Sequence, residues 1–219
     1  MTKSSYLIGL NLGHVDPSVT LFRGTKVLMH LEEERFTRKK KGLNQNPTNS
    51  LKYCLDMLPN GISDITAINL GFDHDLFTLE VPALYIQEWQ RYPNKNSEAG
   101  NYEIKRLKDK NPQNIIYRIH KILEEIGVSD DKFPKINWYN HHYCHALSAH
   151  LSSPFENSLS ITVDSNSELD TCSVWVADGC KLKKIYSKTL PHSLGWLYRS
   201  FTLFCGFDAY EGEGMLMGL

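Results

Sequence analysis

The chain has 219 residues, 41% of them hydrophobic and 22% charged, with 24 Lys and Arg against 25 Asp and Glu for a formal charge of −1. This is a globular composition, long enough to bury a substantial core, and its charge balance offers no global attraction to nucleic acid or anionic lipid. No apolar run approaches the about 20 residues that span a bilayer, and the first residues lack a signal-type pattern, so no membrane association is expected. The cysteines (Cys54, Cys144, Cys172, Cys180 and Cys205) are scattered without a C-x-x-C pair. Neither a zinc finger nor a disulfide frame is expected, and a cytoplasmic setting is the simplest expectation. The apolar run Met215-Leu216-Met217-Gly218-Leu219 closes the sequence, from which a longer protein is expected.

In chain order, Tyr6–Leu12, Ser18–Phe22 and Lys26–Leu31 read as three strands, with a polar loop from Gly13 to Pro17 and a turn at Gly24-Thr25. A basic stretch from Arg35 through Arg38, Lys39, Lys40 and Lys41 follows, then a helix over Thr48–Leu58 and a buried strand over Ile65–Leu70. Tyr92–Asn111 is polar and without apolar periodicity, which suits a surface excursion or lid. Asn111 and Pro112 open a helix as N-cap and first residue, with Ile115, Ile116, Ile119, Ile122, Leu123 and Ile126 as its stripe and Gly127 as its stop. Ile136–Tyr139 is a short strand, and His141–Ser152 a helix.

From there the order of elements repeats. Leu159–Val163, a polar loop bearing Asp164, then Thr171–Val176, a turn at Asp178-Gly179 and Lys181–Tyr186 mirror residues 6–31. Two meanders, each followed by helices, predict an α/β chain of the duplicated ribonuclease-H-like ATPase type found in actin, heat-shock chaperones and sugar kinases. The chain would hold the first half of that fold and the start of the second, with segments 6–140 and 141–219 as its parts.

The densest chemistry lies in Asn140-His141-His142-Tyr143-Cys144-His145-Ala146. Residues i and i+4 share a helix face, so His141 and His145 can point at one ion, although among nine histidines such a spacing also arises by chance. His142 and His150 are read as surface residues. Asp164 closes an apolar strand where a carboxylate meets the mouth of a sheet, and two imidazoles with one carboxylate suit a catalytic divalent metal. The alternative is an Asx turn, a task that Ser165, Asn166 and Ser167 already cover. His14 and Asp16 read as a base or anion partner, or as a polar turn ahead of Pro17. Arg38 and Lys39 suit a phosphate, or belong to a solvated basic run balanced by Glu32, Glu33 and Glu34.

Five stretches in this order resemble one family: Gly-Leu-Asn-Leu-Gly-His-Val-Asp-Pro-Ser (9–18), Glu-Glu-Arg-Phe-Thr-Arg-Lys-Lys (33–40), His-His-Tyr-Cys-His-Ala-Leu-Ser-Ala (141–149), Ser-Pro-Phe-Glu (153–156) and Glu-Gly-Glu-Gly-Met-Leu-Met-Gly-Leu (211–219). They are similar to the N-terminal half of the O-carbamoyltransferases typified by NodU and the cephamycin and tobramycin enzymes. The resemblance covers roughly residues 6–219. It implies the duplicated ATPase fold and a divalent metal, Fe²⁺ first with Zn²⁺ or Mn²⁺ as alternatives, held by His141, His145 and Asp164. It also implies transfer of a carbamoyl group from carbamoyl phosphate, through an ATP-derived carbamoyl-adenylate, to a hydroxyl of a small-molecule acceptor. The adenylate would come from a C-terminal YrdC-like domain that is absent here.

By the same resemblance His14, Asp16 and Lys39 are the catalytic candidates, and Arg38, Glu168, Thr171, Gly212 and Gly218 lie on the nucleotide or acceptor side. A homodimer is kept open as the oligomeric state. The chain departs from the family pattern at Ser165 and Ser167, where glycines are usual, at Met215, where a lysine is usual, and in the spacing of His14, Asp16 and Ser18. Other readings are a kinase-like ATPase, against which the histidine pair argues because Mg²⁺ prefers oxygen ligands, and a nucleotide- or partner-binding module without catalysis.

Overall fold

The structure, a computed structural model, describes residues 6–13, 15–90, 110–129, 132–208 and 212–219. His14 and positions 92–109 of the stretch read as a lid lie outside the described residues. The chain divides into two compact units, Met1–His74 with Asn96–Tyr139, and Asp75–Lys95 with Asn140–Leu219.

The first unit is a sheet in the order β3-β2-β1-β4-β5. Its strands are β1 (Tyr6–Asn11), β2 (Ser18–Arg23), β3 (Lys26–Glu32), β4 (Ile65–Leu70) and β5 (Lys135–Trp138). The first three form an antiparallel meander, with Gly9 opposite Thr20, and β4 joins β1 in parallel, with Ile8 opposite Ile68. An antiparallel meander continued by parallel strands is the ribonuclease-H-like arrangement. Ile8, Val19, Leu21, Ile68 and Leu70 are at most 1% exposed and form one core with Leu51, Ile115, Ile119 and Ile122. The last four come from α2 (Thr48–Asp56) and α4 (Pro112–Glu125). Asn111 caps α4 by accepting from the Gln113 N–H at 3.0 Å, and Pro112 sits where its missing N–H costs nothing.

Helix α2 starts differently. Its N-cap is Pro47, which has no side-chain acceptor, so the free N–H groups of the first turn need a partner from elsewhere. Glu33 supplies it. One carboxylate oxygen accepts from the backbone and side chain of Asn49 at 3.1 and 2.6 Å, the other from the backbone and hydroxyl of Ser50 at 2.9 and 2.8 Å. Glu33 is 1% exposed, and a carboxylate survives such burial only when its lone pairs are met. Beyond it, a single helical turn, α1 (Glu34–Thr37), and a 3₁₀ turn at Lys40–Gly42 carry the basic run, in which Arg35, Arg38, Lys39 and Lys40 are exposed.

The second unit holds a π turn (Leu76–Glu80) running into α3 (Val81–Gln90), then α5 (His141–Leu151), and an antiparallel sheet of β6 (Asn157–Val163), β7 (Asp170–Asp178) and β8 (Lys181–Thr189). It ends in α6 (Leu194–Phe204) and α7 (Glu213–Gly218), neither of which the apolar pattern announces. The sheet turns its polar alternate residues toward α5. Ser160, Thr162 and Ser173 are buried, while Leu159, Ile161 and Val163 on the same strands' other side are 55–64% exposed. The helix explains this. His142 and His150, expected at the surface, are 0% and 4% exposed and need hydrogen-bonding neighbours. His150 meets the Ser158 hydroxyl at 2.8 Å and the Gly179 carbonyl at 2.7 Å. Its Nε2 faces a carbonyl, which fixes the proton there.

Replacing Glu33 with Ala strands donors at the start of α2 and should cost about 2–4 kcal/mol, read as a drop in the urea midpoint. The apolar outer side of the second sheet should enhance the fluorescence of a dye such as ANS. Ile161→Lys should reduce that signal while leaving the far-ultraviolet circular dichroism unchanged.

Candidate metal centre

Three donors of the second unit converge. The His141 Nε2 lies 2.9 Å from the His145 Nε2 and 3.1 Å from an Asp164 carboxylate oxygen, and the His145 Nε2 is 3.8 Å from that same oxygen. All three offer one ligand atom within 4.8 Å of the others, and they are the group of this kind found among the described residues. The i, i+4 spacing on α5 brings the two imidazoles together, and Asp164 arrives from the end of β6. The loop after Asp164 is pinned: the Asp164 N–H donates to the Thr171 carbonyl at 2.9 Å, and the Ser165 N–H donates to the Asp164 Oδ1 at 2.6 Å. That second bond occupies one carboxylate oxygen and leaves the other directed at the histidines.

The set fits a divalent cation. An ion bonded at about 2.0–2.2 Å to each donor holds neighbouring donors roughly 3–3.5 Å apart, which the two shorter separations approach. The His145 and His141 side chains are 55% and 31% exposed, leaving room for further ligands on the open side. Burial pushes the pKa of His145 down and its neighbour His141 adds to this, with Asp164 opposing, so its nitrogen stays available to a metal. Burial alone would raise Asp164. The His141 hydrogen bond and charge, the Ser165 N–H and His145 outweigh it, and its pKa is lowered. Cys144 is not a competing thiolate, because burial and then the Glu168 charge push it up to about 11.

His142 points the other way. Its Nδ1 lies 2.8 Å from both the Ser173 and Thr162 hydroxyls, which are themselves 2.6 Å apart, and Ser173 also accepts from the Trp175 indole at 2.7 Å. Its Nε2 is a buried polar atom without a hydrogen-bond partner among the described residues. Burial is the main reason its pKa is lowered, with His141 and His145 adding to it against Asp170 and Asp164.

The remaining candidates fall in two places. Asp16, Arg38 and Lys39 are exposed on the first unit. Asp16 and Arg38 adopt left-handed backbone (φ 52° and 60°), as do Lys41 and Asn44, and the Asp16 N–H donates to the Lys41 carbonyl at 2.8 Å, so the Asp16 loop and the basic loop are joined. Left-handed non-glycine residues gathered in two joined loops are the kind of backbone strain found at functional sites. Asn11, from the 9–18 motif but not singled out there, and Arg118, which lies in no motif, hold this arrangement. The Asn11 amide donates to the Asp16 carbonyl at 2.7 Å, and Arg118 reaches the Leu12 carbonyl at 3.3 Å and Asn46 at 2.8 Å.

In the second unit Glu168 and Thr171 are each 1% exposed. The Thr171 hydroxyl faces the carbonyls of Lys188 and His192, and Glu168 meets Asn140, His141 and Ser167. A Cβ on Gly212 would fall 2.5 Å from the Asp208 carbonyl, whereas one on Gly218 would meet nothing. Gly195, also unforeseen, has its Cβ position 2.5 Å from the Ser165 Cα and N, so α6 touches the ligand loop backbone to backbone. Beside it opens a cavity of about 430 Å³ lined by Val163, Ser165, Leu194, Gly195, Tyr198 and Arg199, with Glu213 at its edge.

The sequence matches the carbamoyltransferase N-terminus family over residues 7–219. The chain therefore belongs to that family, as its N-terminal portion. Among curated relatives, it is 28% identical over 217 residues to an uncharacterized protein of Synechocystis sp., covering 98% of this chain and 34% of that one. It is also 28% identical over 210 residues to the nodulation protein NolNO of Sinorhizobium fredii, covering 93% of this chain and 27% of NolNO. The chain thus spans about a third or less of the relatives it matches. A ROK hexokinase from Thermus thermophilus is similar at 14% identity and a TM-score of 0.33, covering 81% of this chain and 47% of that one, which adds nothing to the topology above. No helix among the described residues is long and apolar enough to cross a membrane.

The two lowered histidines give stability a definite pH dependence. As pH falls through about 6.5, the unfolded chain takes up protons that folded His142 and His145 refuse, so stability present above that pH is lost below it. Urea midpoints should therefore fall steadily from pH 7 to pH 5, and a flat profile would contradict the burial of His142.

Proposed function

We propose that the chain is the N-terminal part of an O-carbamoyltransferase. It would pass the carbamoyl group of a carbamoyl-adenylate, made from carbamoyl phosphate and ATP, to a hydroxyl of a small-molecule acceptor. The observation that carries this reading is the convergence of His141, His145 and Asp164 in a chain of the carbamoyltransferase N-terminus family. The partner it requires is the remaining part of such an enzyme, where the adenylate would be made.

In the transfer, the acceptor oxygen bonds to the carbamoyl carbon, the bond from that carbon to the adenylate phosphate oxygen breaks, AMP leaves, and the hydroxyl proton passes to a base. A divalent metal held by His141, His145 and Asp164, Fe²⁺ before Zn²⁺ or Mn²⁺, would offset charge on the phosphate and polarise the carbamoyl carbonyl. Asp164 brings a negative charge that orients the cation, and the two neutral imidazoles leave the centre with net positive charge toward an anionic ligand. Lys39 and Arg38, exposed and cationic, are the proposed holders of a phosphate or carbamoyl oxygen, and His14 and Asp16 the proposed proton acceptors. The largely apolar cavity beside Ser165 supports a site from which water is partly excluded, where such charges act more strongly.

The test is a titration of the purified chain with Co²⁺ or Fe²⁺ and with a non-hydrolysable ATP analogue. One metal per chain is expected, with affinity reduced more than about 100-fold in a His141→Ala/His145→Ala variant. The nucleotide analogue should bind more tightly with the metal present, and that gain should vanish in the variant. Nucleotide binding indifferent to metal would overturn the reading.

A further inference from the structure

We propose that Glu168 is the positioning residue of the His141, His145 and Asp164 donor set. It rests on the metal reading above and adds to it a group that touches neither metal nor substrate. Glu168 is 1% exposed, and its carboxylate reaches the start of α5. One oxygen accepts from the His141 backbone N–H at 3.2 Å, and the other accepts from the Asn140 side-chain amide at 3.2 Å and from the Ser167 hydroxyl. Asn140 is itself the cap of α5, its side-chain oxygen accepting from the Tyr143 N–H at 3.0 Å. The carboxylate therefore holds both the cap and the first residue of the helix.

That first residue is a ligand candidate, and Glu168 stands on the same short loop as Asp164. The loop is closed on itself by the Ser167 N–H to the Asp170 carbonyl at 3.2 Å and by the Asp164 N–H to the Thr171 carbonyl. One rigid stretch thus presents a carboxylate to the imidazole of His141 and a second carboxylate to its backbone. Without the second, α5 keeps its cap from Asn140 and its histidine bonds to the sheet, but the bonds that fix the backbone of its first residue to the loop are lost. Donors that must sit roughly 3–3.5 Å apart around one ion lose affinity when either wall drifts.

The same device occurs in the first unit with no ligand attached. Glu33 is equally buried and equally engaged with a helix start, but Asn49 and Ser50, which it holds, belong to no cluster of metal donors among the described residues. The two glutamates therefore separate a capping role from a positioning role.

The experiment is a Co²⁺ titration of the full chain, followed by its visible d–d bands and by calorimetry, beside urea unfolding of each protein. Glu168→Gln keeps the side-chain size and one acceptor oxygen. It should weaken Co²⁺ binding about 10–100-fold and alter the d–d bands, the loss typical of an outer-shell group. Asn140→Ser, which keeps a capping oxygen but removes the amide donor to Glu168, should weaken it in the same direction and serves if Glu168→Gln does not fold. Glu33→Gln should lower the urea midpoint and leave Co²⁺ affinity and spectrum unchanged. Wild-type affinity and spectrum in both Glu168→Gln and Asn140→Ser would overturn the inference, whatever their stability. A wild-type chain that binds no Co²⁺ would instead overturn the metal reading itself, so the two failures are told apart.

Discussion

An α-helix begins with backbone N–H groups that have no partner inside the helix, and when that end is buried something else must accept from them. In this chain the demand is met twice by a glutamate from a distant part of the sequence. Glu33 crosses from the end of the first meander to α2, and Glu168 crosses from the loop of the second sheet to α5. Each is nearly sealed from water, so each arrangement is all-or-none: a buried carboxylate whose donors move away is worse than none. The helices are tied to their sheets by these bonds as well as by apolar contact. In the second unit the tie carries the helix on which two imidazoles stand.

Chemistry at that helix also explains why its sheet is packed as it is. A helix bearing His142 and His150 on its inner face cannot lie on valines and isoleucines without leaving ring nitrogens stranded. The sheet answers with Ser158, Thr162 and Ser173, and its aliphatic alternates go to the other side. The two rings find their partners differently, His142 in hydroxyls around Nδ1, His150 in a carbonyl at Nε2 and a hydroxyl at Nδ1. His141 and His145, one turn apart on the same helix, face Asp164 instead. Four histidines on one helix thus fall into two layers, one structural and one open to a ligand.

Where the sequence pattern was strong, the elements followed it: Ile65–Leu70 has the expected bounds, and Asn111, Pro112 and the isoleucine stripe mark α4 to within a residue. The family was legible in short motifs, and the i, i+4 histidine spacing already put two rings on one face. Leu159–Val163 was legible as an apolar strand, but that reading does not say which of its faces a helix will cover. Here the buried face is the polar one, because the covering helix is polar. Glu33 and Glu168 were unreadable as helix anchors for a related reason. Their partners at the helix starts lie 16 to 28 residues away, and nothing local distinguishes a buried, fully bonded glutamate from a solvated one. Helices α6 and α7 were missed; on Leu194–Phe204 it is Thr202 that is buried, whereas Leu194, Leu197 and Phe201 are more than half exposed, so the apolar stripe is not the packed side.

Gly195 turns the loop beside it into a stretch whose length cannot drift. Its Cα lies so close to Ser165 that any side chain would strike backbone rather than a yielding side chain. Asp164 and Glu168, at the two ends of that loop, face different parts of α5. An inserted residue would have to bulge toward α6, where the glycine leaves no space, or push one carboxylate off its partner. Small residues at Ser165 and Ser167 fit this geometry, whereas an insertion or deletion there does not. The length of this largely buried loop is thereby constrained, and for a steric reason that no single one of its side chains reveals.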